Sequence, residues 1–282
     1  IISFQSCDRK ANNKELFDNN ENRIVKYDYI SSSNDTIIYY RYGCCYVTAT
    51  YFYYPKAKPK GTILVFNPES HEINSICEFT NFCDYAKEEG YVVISPNFGK
   101  SIFATQNYPE TSFDSRKYPD VEWIINNMIY DIQKTFNLLL PEQANFILGY
   151  GIGARGAILT SIYSDTLFLA SSIISGYYDI LDDTTNVRLE EAFGPYKDFS
   201  ERWKNESVFS KLKDFKTPIY IAHAESNMMF ECEKSKKIVD ALKENNHDII
   251  ISHFPRKEEA GYNYWEKEIY NILDFFNQRF VL

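Results

Sequence analysis

No stretch of these 282 residues approaches the ~18 consecutive apolar residues of a membrane-spanning helix. No basic cluster is present either, and the net charge is −9. Non-specific nucleic-acid binding depends on neutralising phosphates, so no nucleic-acid partner is expected. The six cysteines form no C-x-x-C pair, and the four histidines (His71, His223, His247, His253) are scattered. These spacings exclude the common zinc patterns, and neither a metal nor another cofactor is expected. No internal repeat or low-complexity block occurs beyond the polar N-terminal segment.

Hydrophobic residues make up 44% and charged residues 24%, an ordinary globular balance. Aromatics reach 17%, with 23 Tyr, which reads as compositional bias in a chain also rich in Asn, Ile and Lys. The opening residues IISFQSC run from an apolar stub into Cys7 and then a polar tract. This resembles the end of a bacterial lipoprotein signal, in which that cysteine is lipidated. The resemblance implies membrane attachment through Cys7 and a place in the bacterial cell envelope, with a cytoplasmic protein as the alternative. Residues 1–33 are then a polar tether. Export would permit disulfides among the other five cysteines.

From residue 34 to 282 the pattern is one α/β domain. Aromatic and β-branched runs at 36–43 and 45–54 read as an antiparallel edge pair. Short apolar runs at 61–67, 91–97, 144–150, 169–176, 217–224 and 247–255 read as buried strands. Between them lie helical patterns. Ile76, Phe79, Phe82, Cys83 and Ala86 share one helix face, and Gly90 stops it. Val121, Ile124, Ile125, Met128, Ile132, Phe136 and Leu139 share another. Residues of about 180–216 read as a small insertion of short helices, and 98–120 as a long irregular segment that is expected to serve function. Eight strands with intervening helices predict a mostly parallel sheet covered on both faces.

The sharpest motif is Gly149-Tyr150-Gly151-Ile152-Gly153, between an apolar strand and a helix. A nucleophile elbow has this frame, G-x-S-x-G, with serine at its apex. Here the apex residue is Gly151, which has no side chain with which to attack.

Together with KPKGTILVFNP, GYVVISPNFG, SGYYDI and TPIYIAHAES, this elbow resembles the α/β-hydrolase superfamily over residues 36–282. In detail it is similar to prolyl-oligopeptidase-like peptidase and esterase domains. The resemblance implies an α/β-hydrolase fold and a Ser-His-Asp site. Carried onto this sequence, the nucleophile position is Gly151 and the acid position, counted from His223-Ala224, is Asn227. The base position falls in the loop holding Asn263 and Tyr264. All three positions are substituted, so no catalytic residue is expected. The retained cleft is expected to be lined by Asn67, Ser70, His71, Tyr150, Gly151 and Ile152, and to take an unknown small molecule or protein. Of the oxyanion-hole donors the resemblance implies, Ile152 would supply one N–H, but Pro68 has none to give. Asp179, Glu225 and His253 are the nearby groups for a relocated site.

Two rival readings remain open. One is a working esterase or peptidase with relocated groups. The other takes Gly151, Gly153 and Gly156 as G-x-G-x-x-G, a dinucleotide fingerprint. It expects an acidic residue about 20 positions on, and Asp179 lies somewhat too far.

Overall fold

The computed structural model describes residues 15–17, 24–33, 36–42, 47–67, 75–106, 108, 110, 111, 120–226, 231–256 and 261–280; before Thr50 only the course of the backbone is described. The described strands form one ten-stranded sheet. They are β1 (Glu15–Phe17), β2 (Ile24–Ser33), β3 (Thr36–Tyr42), β4 (Val47–Tyr53), β5 (Gly61–Phe66), β6 (Tyr91–Pro96), β7 (Asn145–Tyr150), β8 (Ala170–Ile174), β9 (Ile219–Ala222) and β10 (Ile250–His253). Their spatial order is β1-β2-β3-β4-β6-β5-β7-β8-β9-β10.

Strands β5 to β10 pair in parallel, and β1 to β4 pair antiparallel and join the rest through β4 on β6. Every residue of β5, β6, β7, β8 and β9 is buried. A strand covered on both faces needs apolar residues at each position, which is why these segments read as continuous runs.

Several expectations change. The sheet has ten described strands instead of eight, and the extra two lie within residues 1–33. The reading of 24–33 as tether gives way to a strand, with Tyr29 opposite Tyr39 and Ile30 opposite Ile38. The β-branched and aromatic residues of IVKYDYI carried that signal inside a polar composition. The β3–β4 pair is antiparallel as expected, but the sheet edge lies at β1.

Helices cover both faces. On one side Leu64, Phe66 and Ile147 pack against α5 (Gly153–Tyr163), α8 (Cys232–Glu244) and a helical run made of α3 (Val121–Trp123), a π segment (Ile124–Ile129) and α4 (Tyr130–Phe136). On the other, Ile63, Val65, Phe146, Leu148 and Tyr150 pack against α1 (Ser75–Phe79), α2 (Phe82–Glu88) and α9 (Tyr262–Asn277). The single helix expected across 76–86 is two, with a corner at Thr80-Asn81. Thr80 Oγ1 accepts from the Phe82 amide there, drawing the backbone out of helix. Among the described residues no helix is long and apolar enough to cross a membrane.

The insertion is short helices, as expected: α6 (Val187–Phe193) and α7 (Tyr196–Glu206) between two 3₁₀ segments. It has a small core of its own, in which Ile180, Leu189, Phe193 and Trp203 enclose Ile102 and Ala104 from the segment after β6.

Candidate functional site

Strand β5 lies between β6 and β7, so the chain winds outward from β5 in both directions. In open α/β sheets ligands bind at such a switch point, beyond the carboxyl ends of the strands. Here those ends are Asn67 after β5 and Tyr150-Gly151 after β7.

The turn after β7 is the tight elbow expected from the sequence. Gly151 sits at φ +54°, a left-handed backbone, and α5 starts two residues later. The Gly151 amide donates to the Ile174 carbonyl at 3.2 Å, and its carbonyl accepts from the Tyr177 amide at 2.9 Å. The apex is thereby tied to β8 and the turn beyond it.

The flanking glycines have steric reasons. A Cβ at Gly153 would run into the Phe66 carbonyl, and one at Gly149 into the backbone of Gly153 and Ala154. A Cβ at Gly156 would fall 2.7 Å from the rings of Phe66 and Phe103. Close helix-on-strand packing therefore accounts for the second and third glycines of the rival fingerprint, with no phosphate needed.

The residues that the sequence singles out fall into three groups. Ser70, His71, Asn227 and Cys7 lie outside the described residues. Asn67, Gly151 and Ile152 stand at the strand ends; Asn67 is half-buried and its Nδ2 donates to Ser95 Oγ at 2.8 Å. Tyr150 and Tyr264 lie elsewhere. Side chains alternate along a strand, and Tyr150 points under the sheet, its ring 4.5 Å from that of Trp265. Burial, then the charges of Glu268 and Glu266, push its phenol well up. The Tyr150 Oη and Trp265 Nε1 are both buried without a hydrogen-bond partner. Tyr264, taken as the base position, lies in the first turn of α9 and is buried in the same apolar layer. It is part of the core.

The groups considered for a relocated site also have structural partners. Asp179 Oδ1 accepts from the Leu181 amide and from Ser207 Oγ at 2.8 Å, capping a 3₁₀ turn. Glu225 pairs with Lys236 at 3.0 Å. His253, on the edge strand β10, places Nδ1 2.7 Å from Oε1 of the buried Glu268. Strand β10 is three strands from β7, roughly 14 Å at ordinary strand spacing. His223 Nδ1 lies 2.6 Å from Ser235 Oγ, which lies 2.9 Å from Tyr178 Oη. That Ser–His pair is sealed, with both residues at 0% exposure, so no substrate reaches the serine.

Sequence reasoning missed the polar cluster behind the elbow. Arg155, in the first turn of α5, is fully buried and pairs with Glu206 at 3.2 Å. Its Nε donates to the Ile102 carbonyl. Glu206 also accepts from the Thr105 amide, Thr105 Oγ1 and Tyr108 Oη. The insertion and the segment after β6 are thus bound to the elbow helix by one buried network. An arginine inside the otherwise small and apolar GARGAIL was the available signal. Also missed was the pairing of Cys77 with Cys83 in a disulfide. Among the described residues no group of three or more His, Cys, Asp or Glu side chains is placed to hold a metal.

A mostly parallel sheet covered on both faces, with a glycine-framed elbow at its switch point, defines an α/β-hydrolase fold. The chain belongs to the dienelactone hydrolase family, whose pattern matches residues 48–271. No curated protein matches the sequence. Among solved structures it is similar to S-formylglutathione hydrolase from Staphylococcus aureus (16% identity, TM-score 0.64), over 82% of this chain and 92% of that one. The corresponding hydrolase from Agrobacterium tumefaciens is similar at 12% identity and TM-score 0.64, over 90% and 95%. Acylaminoacyl peptidase from Pyrococcus horikoshii is similar at 13% identity and TM-score 0.61, over 92% of this chain and 48% of that one. At these identities the likeness is one of fold.

Proposed function

We propose that this chain is a non-catalytic member of its family that uses the cleft at the switch point to bind a small molecule or a protein. One observation carries the reading: the elbow apex is Gly151, held at φ +54° with no side chain to serve as nucleophile. Two others support it. Tyr264 is a core residue, and the described histidines nearest the sheet's carboxyl end, His223 and His253, are engaged with Ser235 and Glu268.

The test is hydrolysis of a panel of short-chain p-nitrophenyl esters, with a fluorophosphonate label in parallel. Neither turnover nor label is expected from the wild type. Gly151→Ser is expected to add little turnover, because a hydroxyl without a placed base stays protonated. Turnover by Gly151→Ser within a few-fold of family esterases would overturn the reading. Turnover by the wild type would favour the rival, an active esterase or peptidase with relocated groups, and the labelled peptide would locate them.

We further propose that the protein resides in the bacterial cell envelope. A disulfide is at home in an oxidising compartment, and the lipoprotein-like sequence around Cys7 agrees with that. Mass spectrometry of the native N-terminus should find acylated Cys7; an unmodified thiol there removes the lipid anchor.

A further inference from the structure

The corner between α1 and α2 follows the loop that leaves β5, and α9 follows the loop that leaves β10. Three contacts join these two elements. The Asn81 amide and Nδ2 both donate to the Glu266 carboxylate, at 2.8 and 2.7 Å. The rings of Phe79 and Tyr262 lie 4.6 Å apart. From Tyr262 the ring contacts continue to Trp265 at 4.8 Å and from there to Tyr150 at 4.5 Å, next to the elbow apex. The Cys77–Cys83 bond closes the corner itself, with Cα atoms 5.2 Å apart.

The two cysteines differ in burial. Cys83 is 3% exposed and packs in the apolar layer with Phe82 and Ala86, whereas Cys77 is half-buried at the margin of that layer. Thiol–disulfide exchange needs an attacking thiolate to reach one sulfur in line with the other.

We propose that Cys77–Cys83 is a thiol–disulfide exchange site, opened by attack on Cys77, whose oxidised form clamps the α1–α2 corner against α9. A thiolate of a dithiol reductant bonds to Cys77 Sγ, the Cys77–Cys83 bond breaks, and Cys83 leaves as thiolate and takes up a proton. The second thiol of the reductant then attacks the mixed disulfide. Cys77 is released as a thiol and the reductant becomes the disulfide, two electrons and two protons having passed to the protein. Reduction frees the corner while the central sheet stays folded. The proposal does not depend on whether the cleft binds or turns over a ligand.

The experiment uses the full chain purified without reductant. Peptide mapping is expected to recover Cys77 and Cys83 as one linked pair; both recovered as free thiols would overturn the proposal. Glutathione is then added at limiting concentration and the mixed disulfide trapped with acid. The adduct is expected on Cys77, and an adduct first on Cys83 is the contrary result. After full reduction by dithiothreitol, amide exchange in peptides covering 75–88 and 262–269 should quicken by at least about fivefold, with 153–163 unchanged. Unchanged exchange in the first two peptides would remove the clamp. A Cys83→Ala variant gives a second readout. Its lone Cys77 should react with maleimide at least about tenfold faster than the lone Cys83 of Cys77→Ala.

Discussion

The guanidinium of Arg155 and the carboxylate of Glu206 meet at 3.2 Å with neither side chain reaching solvent. One stands in the first turn behind the elbow and the other at the end of α7 in the insertion, 51 residues away. Removing one partner of a buried pair strands the other's charge, which costs about 3–5 kcal/mol. Arg155→Met and Glu206→Gln should each lower stability in urea by that much. The double variant should lose clearly less than the sum of the two. Additive losses would mean that the pair is not coupled.

The two central elbow glycines should respond differently to alanine. Gly151 sits at φ +54°, so Gly151→Ala should cost about 1–2 kcal/mol of left-handed backbone strain. Gly153→Ala drives a methyl into the Phe66 carbonyl, which neither neighbour can vacate without parting α5 from β5. It should cost about 3 kcal/mol or more. Thermal unfolding of the two variants side by side checks the order, and equal losses would refute the packing argument.

Alkaline stability should fall early. Burial, then the Glu206 carboxylate, push the Tyr108 phenol up to about 12, and burial, then Asp183, do the same for Tyr177. Burial also raises Tyr150 and Tyr178. A phenol raised by folding favours the folded state below its unfolded value of about 10, and that contribution is lost as pH climbs toward 12. Urea midpoints should therefore be level to about pH 9 and drop steeply above 10. Tyr150→Phe removes a buried hydroxyl that has no partner. It should be neutral or stabilising by up to about 1 kcal/mol at pH 8, and should soften the alkaline drop. A loss of stability at pH 8 would show that the hydroxyl is bonded.

On the acid side the sign reverses at His247. Burial lowers its pKa, against the opposing hydrogen bond to the Thr217 carbonyl at 2.9 Å. The folded state holds the ring neutral, and the unfolded chain takes up a proton near pH 6.5. The resulting stability is present above that pH and lost as pH falls below it. His247→Gln should flatten the pH dependence between about 5 and 7; an unchanged slope assigns the acid loss to other groups.

The central sheet was legible because β5 to β9 are covered on both faces, and only near-continuous apolar runs satisfy that requirement. The elbow was legible because helix-on-strand contact excludes side chains at Gly149 and Gly153, whatever the apex residue does. Strand β2 was obscured because Lys26 and Asp28 lend polar composition to a segment whose strand character lies in its β-branched and aromatic residues. Side-chain direction was the main thing hidden: Tyr150 borders the apex in sequence yet points to the opposite face of the sheet, and Tyr264 turns inward once α9 begins at Tyr262.

The sequence alone determined the order of the strands from β3 to β10, the glycine frame of the elbow and the glycine at its apex, because these rest on local periodicity, local sterics and the identity of one residue. Only the tertiary structure decided that Arg155 meets Glu206, that Cys77 bonds to Cys83, and that Tyr150 and Tyr264 belong to the core. Those outcomes depend on which surfaces come together when distant segments pack, and no local pattern encodes that.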